Sequence, residues 1–213
     1  EKIQDYSIGL EISTQLIARH PDDFQTLMYH IKVLRGLERV EEIKSYKQRI
    51  NEFNLQKVSP YLVHVIVNIF ISINEILFAI EFLYNSIKQS SNQELKDFFY
   101  TLSLNSSISE IVSNPKEKIE EGDYVEIKKE EIIENVEITS GSVYSDLVGH
   151  RVNEEVKLQF SKPTVVSIES IHNKYYKLME DVRNDIMQQK SRNIKVFSIN
   201  DYNFEEDTIG AIQ

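Results

Sequence analysis

Cysteine and tryptophan are both missing from this 213-residue chain, and glycine (six) and proline (four) are scarce. Without cysteine there is no disulfide, no thiolate nucleophile and no sulfur-bound metal. A cytoplasmic location is the default expectation for such a composition. So few glycines leave no glycine-rich phosphate loop, and neither Ser142 nor Ser145 stands in a Gly-x-Ser-x-Gly elbow. Basic residues are short as well, 24 against 34 acidic ones, for a net charge of −10. Binding to a phosphate backbone needs clustered Lys and Arg, so no direct nucleic-acid contact is expected. The deficit is uneven: residues 1–115 carry 11 basic and 14 acidic residues, and residues 116–213 carry 13 and 20. An acidic second half serves solubility first and could also meet a basic patch on a partner. No secretory signal pattern is visible. The chain opens on Glu1 with helical spacing already running, which reads as a piece of a longer protein.

Long apolar runs are absent with one exception, residues 61–80. His64, Asn68, Asn74 and Glu75 interrupt that window, and a membrane span tolerates few such groups. A pair of buried helices is the better reading. Ser72-Ile73-Asn74-Glu75 fits a capping box and divides the run into helices 61–71 and 73–88. Before it, Ile3, Tyr6, Leu10, Ile12, Leu16 and Ile17 define a helix over 2–19, ended by His20-Pro21. Phe24, Leu27, Met28, Ile31 and Leu34 define a second helix over 23–36, and Val40, Ile43, Tyr46, Ile50 and Phe53 a third over 39–53. Residues 93–104 form a further helix, and the polar stretch from Asn105 to Pro115 leads out of the helical half at a boundary near 112–117.

Beyond Pro115 the apolar period changes from helical to two. Residues 123–128, 136–138, 156–160 and 165–171 read as strands, with Lys162-Pro163 as a turn. The stretch Gly141-Ser142-Val143-Tyr144-Ser145-Asp146-Leu147-Val148-Gly149 reads as a turn, a one-turn helix and a glycine stop. Its Val143, Leu147 and Val148 should share one side and cover the sheet. An amphipathic helix follows over 173–190, then a possible strand over 194–199 and an acidic tail. The fold class is therefore α+β: stacked α-hairpins over 1–112, a small β-rich domain over 117–171, a connecting helix over 172–192, and an acidic tail or the start of a further domain over 193–213.

Candidate chemistry is thin. The five histidines, His20, His30, His64, His150 and His172, share no ligand spacing, so no metal site is expected. His150 after Gly149 suits the negative end of the short helix. Glu130-Glu131, Glu205-Glu206-Asp207 and the scattered Asp181, Asp185, Asp201 and Asp207 read as solvated carboxylates rather than an acid–base pair. Tyr175-Tyr176, at helical spacing with Met179, reads as core.

Two resemblances add to this reading. Paired helices punctuated at Pro21 and Pro60, with Ala79, Leu83 and Ser86 at small–large–small positions, resemble tetratricopeptide-type (TPR) repeats, although the first-helix Trp-Leu-Gly-Tyr pattern is missing. Gly122-Asp123-Tyr124-Val125, then Leu147-Val148-Gly149-His150-Arg151-Val152 with Glu155-Val156, then Val165, Ile168 and Ile171, resemble the C-terminal domain of bacterial Gre transcript-cleavage factors. This second resemblance covers about residues 117–171. It implies an FKBP-like fold and docking on RNA polymerase through the turn at Gly141, Ser142, Val143, Tyr144 and Asp146. Gly141-Ser142-Val143 replaces the family's Ser-Pro-Leu turn, and Asn153, which can still turn left-handed, replaces its second glycine. The Gre coiled-coil hairpin has no counterpart, so transcript cleavage is not expected, and a chain without Trp lacks the pocket floor of a prolyl isomerase. Helical repeats before a Gre-like domain also resemble a bacterial conflict and defence architecture that continues into a PIN nuclease. Two readings stay open: a non-catalytic protein-interaction module with RNA polymerase or another large assembly as partner, or a scaffold region of a larger effector whose nuclease lies outside this chain. Neither implies a catalytic residue, cofactor, small-molecule substrate or membrane contact.

Overall fold

A computed structural model describes residues 2–188. The fold is α+β: helices through the first half, then a four-stranded antiparallel sheet and a closing helix. Two compact units divide between Phe99 and Tyr100. The possible strand over 194–199, the acidic tail and the last residues of the helix read over 173–190 lie outside the described residues.

The first unit is built from α1 (Lys2–Arg19), α2 (Phe24–Gly36), α3 (Val40–Ser45), α4 (Lys47–Asn51), α5 (Pro60–Ser72), α6 (Ile76–Ser90) and the start of α7 (Gln93–Ser103). Packing of α1 on α2, α5 on α6 and α2 on α5 makes the stacked hairpins. The starts of α2 and α5 are capped by side chains. Asp23 accepts hydrogen bonds from the backbone N–H groups of Gln25 and Thr26, and Ser59 accepts from Leu62 N–H ahead of Pro60. The stripe Phe24, Leu27, Met28, Ile31 and Leu34 is buried, as are Ala79, Leu83 and Ser86 on α6. Gly36 ends α2 against the Tyr6 ring, where an added Cβ would stand 2.3 Å from Cε1.

Two sequence readings need correction here. Ser72 does not cap α6. Its hydroxyl donates to Ile69 C=O at 2.6 Å, closing α5, and Asn74 turns left-handed at φ 62°. Glu75 is then drawn away from a cap by Lys47, at 2.5 Å, and Lys44, at 3.5 Å. The helix read over 39–53 is broken at Tyr46, whose hydroxyl meets a buried histidine.

That histidine, His30, is the polar centre of the first unit. Its Nδ1 lies 2.9 Å from Ser13 Oγ and its Nε2 3.1 Å from the Tyr46 hydroxyl. The Ser13 hydroxyl also lies 3.1 Å from Leu10 C=O; with its proton there, Nδ1 donates to Ser13 and Nε2 accepts from Tyr46. A neutral ring with one proton thus ties α1, α2 and the α3–α4 break together. Burial holds the His30 pKa below the usual histidine value, and burial does the same to His64, whose ring packs on Phe98 at 4.0 Å.

The second unit begins with the last turn of α7 and α8 (Ser106–Ser113), and contains β1 (Tyr124–Lys129), β2 (Ile132–Glu137), β3 (Glu155–Gln159), β4 (Pro163–His172) and α9 (Lys174–Gln188). The division precedes the boundary read near 112–117. The polar stretch after Asn105 is a helix, capped by the Asn105 side chain on Ser107 N–H, and α8 packs on α9. Strand order is β2-β1-β4-β3, so β2 and β3 are the two edges. Val125, Ile127, Val136, Ile138, Val156, Leu158, Val166, Ile168 and Ile171 form its core with Ile119 and Leu147. The register slips between Glu126 and Ile127, so that Glu169 is passed over in pairing with β1. This bulge is why β4 buries 166, 168 and 171 and exposes Val165, which the sequence pattern had grouped with Ile168 and Ile171.

The histidine shifts carry a sign. A pKa lowered in the folded state leaves stability whole above about pH 6.5, the unfolded value, and removes it as pH falls toward the folded pKa. Thermal unfolding of the helical unit should therefore move to lower temperature between pH 7.5 and 5.5, on the order of that window. A His30→Asn, His64→Phe variant should show a flatter profile there, read by circular dichroism melts at each pH.

Candidate functional site

The turn at Gly141–Asp146 lies between β2 and β3 and includes a short 3-10 helix, Val143–Leu147. It is held at both ends. On entry, Glu121 accepts hydrogen bonds from the backbone N–H and the hydroxyl of Ser140, and the Ser142 hydroxyl donates to Thr139 C=O at 2.8 Å. On exit, Gly149 N–H donates to Ile119 C=O at 2.8 Å while Ile119 N–H donates to His150 C=O at 3.0 Å. This reciprocal pair clamps the end of the turn to the segment that enters the sheet. Gly141 and Gly149 both take left-handed φ, 76° and 87°, where a side chain would be strained.

Between those clamps the helix buries one residue fully, Leu147. Val143 and Val148 do not join it in covering the sheet: they are 42% and 49% exposed. A 3-10 turn brings residues three apart into line, so Leu147 aligns with Tyr144 rather than Val143. Tyr144 is half-buried, meets Phe160 edge-on at 5.8 Å, and has the Glu134 carboxylate beside its hydroxyl. Burial first, and that carboxylate second, push the Tyr144 hydroxyl pKa up. Glu134 is on β2 and Phe160 follows β3, so Tyr144 bridges the two edges of a curled sheet.

The five residues read as a partner-facing turn thus separate into two kinds. Gly141, Val143 and Asp146 are exposed, Ser142 is partly buried with its hydroxyl and carbonyl used within the turn, and Tyr144 packs inward. His150 has a carboxylate partner instead of a helix end: its Nδ1 lies 2.7 Å from Glu154, and that hydrogen bond holds the Glu154 pKa below the usual range. Asn153 takes a left-handed φ of 67°, a conformation that asparagine tolerates better than most side chains.

Support for the entry segment comes from Asp123, which sequence reading passed over. This buried carboxylate accepts from Glu120 N–H at 2.8 Å and from Lys116 Nζ at 2.9 Å. Burial works against the Lys116 charge, but hydrogen bonds to Glu120 and Asp123 outweigh it and hold its pKa above the usual value. The Gly122-Asp123 pair read as the lead into β1 carried the signal, since a carboxylate after a turn glycine commonly caps nearby N–H groups.

One other cluster has the residue types of catalysis. Ser170 donates to Glu126 at 2.7 Å and contacts His172 Nε2 at 2.9 Å, and His172 stacks on Tyr176 at 4.2 Å. Activation of a serine places the imidazole between hydroxyl and carboxylate. Here the serine is in the middle and its proton goes to the carboxylate, so the arrangement straps β1 to β4 and the start of α9. Among the described residues no group of His, Asp and Glu could hold a metal ion, and no helix is long and apolar enough to cross a membrane.

In comparisons with known proteins, no family model, curated protein or solved structure matches this chain.

Because Leu147 is the turn's one fully buried side chain, Leu147→Ala should lower the stability of the sheet unit by about 2–5 kcal/mol, the usual range for a large-to-small core change. Denaturant unfolding followed by near-ultraviolet circular dichroism of Tyr144 and Tyr124 would measure it.

Proposed function

We propose that this chain is a non-catalytic protein-interaction module that docks through the turn at Gly141–Asp146. The observation that supports it is the combination of clamped ends with an exposed tip: Gly141, Val143 and Asp146 face solvent from a loop whose backbone is bonded on both sides. A loop fixed in this way loses little conformational entropy on binding, which favours recognition over a turn that must order first. An exposed valine beside a carboxylate also offers a partner both an apolar contact and a charge.

The resemblance to Gre C-terminal domains supplies the partner class, RNA polymerase, with the helical hairpins as a further protein-binding region. On this reading the exposed residues of the turn carry that contact. Val143 and Asp146 are the contact residues, and Tyr144 positions the turn by closing the sheet edges. Core RNA polymerase immobilised on resin should retain the full chain. A Val143→Lys, Asp146→Ala variant should bind at least about tenfold more weakly while melting at the wild-type temperature, since both sites are exposed. Failure of the wild type to bind polymerase core sinks the polymerase reading.

A further inference from the structure

The outer edge of β2 is a second and separate surface. We infer that it accepts a basic extended segment of a partner protein as an added strand. β2 pairs only with β1 among the described residues, through the hairpin closed by Lys129 and Ile132. Ile138 N–H donates to Asp123 C=O at 2.8 Å, which sets the phase of the antiparallel ladder. In that phase Val136, Glu134 and Ile132 bond to β1, and the backbone groups of Ile133, Asn135 and Glu137 turn to the free edge.

This edge lacks three of the usual protections. Its six residues contain no proline, no lysine and no bulge, and Ile132 and Ile133 are 61% and 62% exposed, one on each face. The opposite edge, β3, is shorter and carries Lys157 at its centre, the guarded form. Charge selects the occupant. Glu130, Glu131, Glu134 and Glu137 are all exposed along the hairpin and the strand, with no cation among residues 130–137. Lys128 and Lys129 stand on β1, and Lys129 is already placed over the Phe160 ring at 5.1 Å. Two copies of the β2 edge would bring their glutamates together, and a nucleic acid would be repelled outright. A segment alternating Lys or Arg with Val or Ile satisfies the unpaired backbone and, with its cations on the face of Ile133 and Glu137, meets the Glu137 carboxylate.

The experiment uses the full chain and a short fluorescent peptide alternating Val with Lys, read by anisotropy at low and high salt. Binding should weaken with salt. It should fall at least about tenfold in Asn135→Pro, which removes one outward N–H and changes no charge. Glu131→Gln with Glu137→Gln should weaken binding and flatten its salt dependence, and this variant decides the matter if Asn135→Pro does not fold. A composition-matched peptide with the Val–Lys alternation scrambled should bind weakly. Equal binding of the scrambled peptide, indifference to both variants, or a dimer that Asn135→Pro dissociates while the peptide fails to bind would each overturn the proposal. None of these outcomes depends on contact with RNA polymerase.

Discussion

The burial of Leu147 is the constraint on which the β2–β3 connection rests. Leu147 is the one residue of the segment from Thr139 to Val152 driven fully into the core, beside the polar ties of Ser140 to Glu121 and the edge contact of Tyr144 with Phe160. One fully buried leucine contributes about 1.5–3 kcal/mol of transfer free energy, enough to select one loop conformation from many. The backbone pair between Ile119 and Gly149-His150 then becomes possible, because Leu147 brings Gly149 within reach of the entry segment. Ile119 is itself buried in the same core, so the two contacts reinforce each other. Exposed residues at the tip gain a fixed position from this arrangement without contributing to it.

What the sequence made legible was what depends on local period. The stripes of α2 and α6, the stop at Pro21, and the alternation in β1 and β3 follow from side-chain spacing alone, and the structure buries those residues. Leu147 and Gly149 were legible for a related reason, since a buried position followed by a left-handed stop is a local signature. Errors arose where a distant partner decided. Ser72 and Glu75 have the spacing of a capping box, but lysines from α3 and α4 claim Glu75. Tyr46, at the break in the helix read over 39–53, meets His30 of α2. The helix after Asn105 was hidden by serine-rich composition, although Asn105 at the cap and Ile108 with Val112 four residues apart were available as signals.

His30 and Asp123 play matching parts in their own units. Each is a buried polar group with its hydrogen-bonding capacity engaged by named partners, and each joins segments that apolar packing alone would leave free to slide. Hydrophobic burial is non-directional. A neutral imidazole bridging two hydroxyls, or a carboxylate held between a backbone N–H and an ammonium, has one geometry. The role of His30 is not visible from the composition around it, because Ser13 and Tyr46 lie far from it in sequence.

Tyr144 shows why a resemblance and a structure must be weighed together. The resemblance marks the whole turn as a contact surface, and a tyrosine in such a turn is a natural anchor for a partner. Its ring instead meets Phe160 beyond one edge strand while its hydroxyl lies beside Glu134 on the other. Both edges of an antiparallel sheet can share one side chain only if the sheet curls, and the β4 bulge at Glu169 supplies curvature of that kind. Removing the Tyr144 ring would therefore alter the sheet as well as any docked partner, and loss of binding on its substitution could not be assigned to contact. Val143 and Asp146 have no such double role: they lie on the same turn, exposed, and make no contribution to the core. The exposed part of the turn is thus narrower than the motif that points to it, and the tyrosine at its centre belongs to the fold.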